Sequence, residues 1–190
     1  MRRIIFDIET ANDFADGTFE PAMLDLALVC IHDSQTDTYS SYTIPELPRL
    51  WPIFEKTDLL VGYNSDHFDI PVLNKYYPGD LTKIRSIDLL KEIRGVLGRR
   101  LKLDNVCQAT LKAKKSADGP QAIKWWREGE IEKVRQYCMD DVRLTKELYE
   151  YIRANGSCKY RDFDGIREIK LDTSHWEVGE GNALTHTLPF

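Results

Sequence analysis

Residues 3–10 read RIIFDIET, an apolar run broken by two acids. Arg3 to Ile8 has the composition of a short strand. Alternate side chains of a strand leave opposite faces, so Asp7 and Glu9 share one face while Ile8 points the other way, into the core. Working outward, Leu24 to Ile31 reads as a second strand. Thr38 to Ile44 is a third, rich in β-favouring Tyr39, Tyr42 and Thr43, with the polar loop His32 to Asp37 suiting a hairpin between them. Pro45 closes this pattern. Leu47, Leu50 and Phe54 then recur at helical spacing before a fourth strand, Leu59 to Tyr63. The first and fourth strands are apolar at their centres, as expected for a sheet covered on both faces.

From Asp69 onward the periodicity is mostly helical. Ile70, Leu73 and Tyr77 mark a short helix stopped by Pro78–Gly79, and Thr82 to Ser86 reads as a brief extended stretch. Asp88 is placed to cap the helix Leu89 to Val96, which Gly95 and Gly98 would end, and Asp104 is placed to cap the helix Asn105 to Leu111. Lys112 to Gly119 reads as a mobile polar loop, and Pro120 fits the first turn of the helix after it. The longest periodic segment runs from Glu130 to about Arg153. Val134, Tyr137, Cys138, Asp141, Leu144, Leu148, Tyr151 and Ile152 form its inner stripe. The tail, Lys159 to Leu171, reads as a hairpin around Asp164–Gly165. The sum is an α/β fold: a central mixed sheet with helices on both faces and a C-terminal hairpin extension. Residues 1–155 form the expected domain, and 156–190 are expected to belong to the same compact unit.

A chain of 190 residues can bury a sizeable core without disulfides or a structural metal. Its four cysteines, Cys30, Cys107, Cys138 and Cys158, lack the spacing of a secreted scaffold or a CxxC site and are expected to be buried free thiols. The opening residues are neither a signal peptide nor a membrane span, so a cytoplasmic location is expected. The net charge of −5 is unevenly distributed. Residues 1–90 carry 7 basic and 15 acidic side chains, 91–115 carry 8 and 2, and 116–190 carry 11 and 14. Whole-chain charge therefore decides little: a nucleic-acid partner is not excluded, because bound cations can reverse the sign where a phosphate sits while a separate basic strip meets the rest of the backbone.

Asp141 is the one carboxylate on the inner stripe of the long helix, costly to bury unless paired, protonated or bound to metal. Asp69 begins a helix, where backbone amides favour an anion. Asp7, Glu9, Asp69 and Asp141 together would repel one another and raise their own pKa values without counter-ions, and divalent cations relieve that repulsion. Hard oxygen donors suit Mg2+ or Mn2+, two ions per site in a two-metal arrangement. In that arrangement Asp7 bridges the ions, Glu9 and Asp141 chiefly hold the ion carrying the attacking water, and Asp69 is an outer or water-mediated ligand. Tyr137, one helical turn before Asp141, has two readings: a phenol that orients the water, or an ordinary core residue.

Three segments in order carry a family resemblance: FDIET at 6–10, NSDHFD at 64–69 and YCMDD at 137–141. With them, residues 1–155 resemble the DEDDy subgroup of the DnaQ-like exonucleases in the ribonuclease H-like superfamily, nearest to stand-alone predicted exonucleases and the proofreading domains of family B DNA polymerases. The first segment matches the motif supplying Asp7 and Glu9, the second the NxxxFD form supplying Asp69, and the third YxxxD, supplying Tyr137 and Asp141. The resemblance implies 3′→5′ removal of nucleotides from single-stranded ends, DNA being the first expectation and RNA the alternative. It also implies that Thr10 and the backbone of Ala11 lie near the terminal sugar and that Asn64 and Phe68 contact the last nucleotides. Phe68 equally reads as a core residue anchoring its turn.

Lys91, Arg94, Arg99, Arg100 and Lys102, followed by Lys112, Lys114 and Lys115, read either as a phosphate track or as solvated surface, with Arg99 and Arg100 at its centre. Of Trp125 and Trp126, one is expected in the core and the other free to stack on a base or a partner. His67 reads as a turn residue, and Asp140 as a helix-surface acid. An endonuclease with the same metal centre and a catalytically weak binding module are the competing classes.

Overall fold

The computed structural model describes residues 1–14, 19–113 and 119–178. Five strands form the central sheet: β1 (Arg3–Thr10), β2 (Leu26–Asp33), β3 (Thr38–Thr43), β4 (Leu59–Gly62) and β5 (Ser86–Asp88), in the order β3-β2-β1-β4-β5. β1 pairs antiparallel with β2 and parallel with β4, so the sheet is mixed. The helices are α1 (Leu47–Glu55), α2 (Asp69–Leu73), α3 (Leu89–Leu97), α4 (Leu103–Leu111), α5 (Gly119–Arg127) and α6 (Ile131–Asn155), followed by the hairpin β6 (Ser157–Asp162) and β7 (Gly165–Lys170).

The alternation read in RIIFDIET divides the core between the two faces of the sheet. Ile4, Phe6 and Ile8 pack with Leu47, Leu50 and Phe54 of α1 and with Ile70 and Leu73 of α2. Ile5 points oppositely, into the layer built by α3, α4 and α6. The side chains of Leu144, Leu148 and Ile152 are removed from water along α6, each contributing roughly 1.5–3 kcal/mol. Both Trp125 and Trp126 of α5 are partly buried against this same layer, so neither stands apart as a free stacking ring.

Two local expectations are corrected. The extended stretch expected at Thr82 to Ser86 is instead a 3-10 turn at Leu81–Lys83, closed by the Asp80 side chain accepting from the Thr82 amide, and the strand is Ser86–Asp88. Asp104 does not cap α4. The helix starts at Leu103 with Lys102 at its cap, and Asp104 lies in the first turn, bonded to Gln108. Asp88 does cap α3, accepting from the amides of Leu90 and Lys91, and the helix ends at Gly98 in the left-handed conformation, with Gly95 inside it.

The hairpin is fastened to α4 rather than to the main sheet. Asn105 accepts from the Arg161 amide at 2.8 Å and donates to the Arg161 carbonyl at 3.0 Å. The Thr110 hydroxyl does the same for the Lys159 backbone, at 2.8 and 2.9 Å. Two helix side chains thus satisfy the edge of β6 that β7 leaves open. Beyond the hairpin, Trp176 is buried flat against Tyr149, and Glu177 accepts from Arg3, Arg153 and Tyr149. Burial alone would raise the Glu177 pKa; the bonds from Arg153, Arg3 and Tyr149 outweigh it and draw it down to about 2.

Candidate active site

The site forms where β1 outruns its neighbour. β4 pairs with β1 only from Arg3 to Ile5, then turns away at Gly62. That turn is tight enough that a Cβ on Gly62 would collide with the Ser65 side chain, and Asn64 adopts a left-handed φ of 67°. The chain returns into α2, and the Asp69 carboxylate accepts from the Ile8 amide at 3.1 Å, a donor that has lost its strand partner. The amide that holds Asp69 therefore comes from β1, not only from the start of its own helix. Asp88 braces the returning loop from below, accepting from the amides of Asn64 at 2.7 Å and Asp66 at 3.2 Å.

Asp7 and Glu9 lie on the face of β1 covered by α6, as the spacing requires. Their carboxylates fall within 4.8 Å of one another and of the Cys138 sulfur. Cys138 donates to the Asp7 carbonyl at 3.3 Å and reaches its carboxylate at 3.6 Å. This thiol was legible only as a stripe residue; nothing in its neighbours signals the contact with Asp7. Its pKa is pushed well above the ordinary thiol value by burial, with the nearby Cys30, Asp7 and Glu9 adding to the shift. The thiol is therefore a proton donor here, fixing one edge of the carboxylate pair.

Asp69 and Asp141 stand outside that close group and act on each other. Asp69 is 4 % exposed, and its pKa is pushed up to about 8 by burial, with the negative charges of Asp88 and Asp141 adding to the rise. Tyr137 is raised by burial and then by the charges of Asp141, Glu9 and Asp7, and its side chain is hydrogen-bonded to Asp141. One phenol thus senses carboxylates from both β1 and α6. The donor set consists of hard oxygens from like-charged groups brought close together, whose repulsion a divalent cation would remove. The residues fit such an ion.

The residues expected near substrate divide into two groups. The Thr10 hydroxyl donates to the Asn12 carbonyl at 2.8 Å, and the Ala11 amide donates to the Asp25 carbonyl at 2.8 Å, so both are tied into the end of β1. Phe68 is half-buried, packed on the α1–α2 side and edge-on to Phe14. His67 is exposed in its turn with Phe19 stacked on it. Asn64 accepts from Arg100 at 2.6 Å. Arg99 turns the other way, pairing with Asp162 at 3.1 Å and lying over the Tyr160 ring of the hairpin. Lys114 and Lys115 of the basic strip, and most of the polar loop Lys112 to Gly119, lie outside the described residues.

A family model described as the RNase H superfamily matches residues 4–153, which include every one of these side chains except those of the hairpin. The chain belongs to the RNase H superfamily. As a member it is a nucleic-acid-processing, metal-binding enzyme, with a candidate ligand cluster at the end of β1. Among solved structures it is similar to the family B DNA polymerase from the hyperthermophilic archaeon Pyrobaculum calidifontis, at 20% identity and a TM-score of 0.62. The match covers 80% of this chain and 24% of the polymerase, so the chain corresponds to about a quarter of that protein's length. At that identity the likeness concerns the fold. No curated protein matches the chain. No helix among the described residues is long and apolar enough to cross a membrane.

Proposed function

We propose that this RNase H superfamily member is a 3′→5′ exonuclease of the DEDDy type, hydrolysing phosphodiester bonds at single-stranded ends with two Mg2+ or Mn2+ ions. The observation that carries the reading is the convergence of carboxylates from three separate elements at the open end of β1: Asp7 and Glu9, then Asp69 held by the Ile8 amide, then Asp141 bonded to Tyr137. A buried acidic set of this kind is costly in any role that does not bring cations to it.

In this reading Asp7, Glu9 and Asp141 would hold the ions directly, and Asp69 would act as an outer or water-mediated ligand. The ions, when bound, activate a water and stabilise the departing oxygen. Tyr137 keeps its proton at neutral pH because burial and three acidic neighbours raise its pKa. It therefore serves as a hydrogen-bond donor or relay that orients the nucleophile, not as a base. Cys138, which reaches the Asp7 carboxylate, and the Ile8 amide, which donates to Asp69, restrain the two carboxylates so that little reorganisation is needed on loading.

The test is degradation of a 5′-labelled linear strand beside an internally labelled circular strand, each as DNA and as RNA. A ladder shortened by single nucleotides from the linear 3′ end, abolished by chelation and restored by Mg2+ or Mn2+, is the expected result. Cleavage of the circle would replace the exonuclease reading with an endonuclease, and turnover indifferent to chelator would overturn the metal assignment.

A further inference from the structure

We infer that the cleft between α4 and the C-terminal hairpin is a second nucleic-acid site, which holds backbone phosphates of the strand upstream of the cleaved end. The inference rests on the nuclease reading and extends it to a part of the chain beyond the matched family region. The cleft encloses about 410 Å³ and is lined by Arg100, Leu101, Lys102, Asp104, Asn105, Gln108 and Arg161. Arg161 comes from β6, outside residues 4–153.

Three observations point to a polyanionic strand. First, the cations are available. Lys102 and Arg161 are exposed and have no acidic partner among the described residues, whereas the acid in the wall, Asp104, is engaged with Gln108. Second, the cleft is held in shape. Asn105 bonds both the amide and the carbonyl of Arg161, and Thr110 repeats the clamp two residues away at Lys159. The backbone that carries Arg161 is therefore fixed beside α4, so that only its side chain need be ordered when a phosphate binds. Third, the cleft is continuous with the catalytic side. Arg100 also lines a neighbouring cleft of about 320 Å³ with Asn64, Asp66, His67, Asp88, Lys91 and Arg94, in which Lys91 is paired with Asp66 and Arg94 is exposed. Asp88 in that second wall accepts from the amides of Asn64 and Asp66, in the loop that returns the chain to Asp69.

A strand whose 3′ end sits at the carboxylates would thus pass Asn64 and Arg94, reach Arg100, and continue over Lys102 and Arg161. Bonds to phosphate oxygens from arginine and lysine carry no base sequence, which suits an enzyme that must accept any end. The hairpin then has a substrate-holding purpose, and the Asn105 and Thr110 clamps position the residue that performs it.

The experiment measures affinity of the full chain for single strands of about four and about 16 nucleotides in chelator, where no turnover occurs, over a range of salt. Oligo-dT and oligo-U serve as probes. The longer strand should bind wild type more tightly and with a steeper salt dependence. Lys102→Ala/Arg161→Ala should weaken the longer strand roughly five- to tenfold at low salt and flatten its slope by about 0.7 for each phosphate that is no longer neutralised, with a smaller effect on the short strand. Arg161→Lys in place of Arg161→Ala should recover most of the slope, a readout that disrupted hairpin packing would not produce. Unchanged long-strand affinity and slope in the double variant overturn the inference. So does equal binding of the two lengths by wild type, and if wild type still shortens strands in Mg2+ the nuclease reading survives that failure. No binding and no shortening would remove both.

Discussion

Glu9, Asp69 and Asp141 are 8 %, 4 % and 3 % exposed, whereas Arg94, Arg100, Lys102 and Arg161 all stand open to water. Both groups are charged, and both are formed by elements distant in sequence, yet they obey different physics. Like charges taken out of water raise one another's free energy, so the acidic end of β1 is under strain until a cation arrives; the shifts of Asp69 and Tyr137 record that strain. Exposed cations at the α4–hairpin corner are screened by salt and cost little when empty. The first region is therefore suited to chemistry. The second is suited to weak attractions summed along a chain.

The sharpest break in this comparison comes from Asp7→Ala. Removing a carboxylate assigned to hold the ions directly should lower turnover by about 10⁴-fold or more while circular dichroism stays that of the wild type. Near-normal turnover would dissolve the distinction between the two regions. Tyr137→Phe is next, with an expected loss of roughly 10²-fold in single-turnover rate at saturating Mg2+ and little change in calorimetric metal affinity. A core tyrosine would tolerate the change within a few-fold, because phenylalanine keeps the ring.

The raised Asp69 pKa sets a direction with pH. In the metal-free protein this carboxyl holds its proton up to about pH 8, and an incoming cation must displace it. Metal affinity should then rise by up to about tenfold per pH unit below that value and level off above it. Stability of the chelated protein runs the opposite way. A folded-state pKa above the unfolded value contributes stability that is full below the ordinary carboxylate range, is lost progressively as pH rises to about 8 and changes no further above it, so chelated protein should melt earlier at about pH 8 than in mild acid and Mg2+ should restore it. Melting curves in chelator and in Mg2+ across that range check both signs; metal affinity flat with pH would show that Asp69 is not part of the ion's environment.

The smallest effect belongs to the exposed side. Arg94→Ala should weaken binding of a single strand only a few-fold at low salt, and the difference should vanish as salt rises. A large loss that persists in high salt would mean that Arg94 does more than meet a phosphate.

Much of the acidic region was legible because it depends on short-range geometry. The two-residue period of a strand put Asp7 and Glu9 on one face, and the helical period put Tyr137 and Asp141 on the inner stripe of α6, where both are buried. The basic region was less so. Arg99 and Arg100 are adjacent in sequence and looked equivalent, yet one pairs with Asp162 of the hairpin and the other reaches Asn64. Asp104 looked like a cap, but the helix begins one residue earlier.

By itself the sequence determined the strand and helix periods, the caps at Asp88 and the hairpin turn, and the order of the acidic segments, all set by interactions between residues a few positions apart. Only the tertiary structure decided that β4 stops short of β1 and frees the Ile8 amide for Asp69, that Cys138 closes on Asp7, and that Asn105 and Thr110 carry the hairpin's Arg161 to the cleft beside Arg100. Each of those pairings joins residues more than 45 positions apart, where register, turn closure and packing choose the partner and no local period can reveal it.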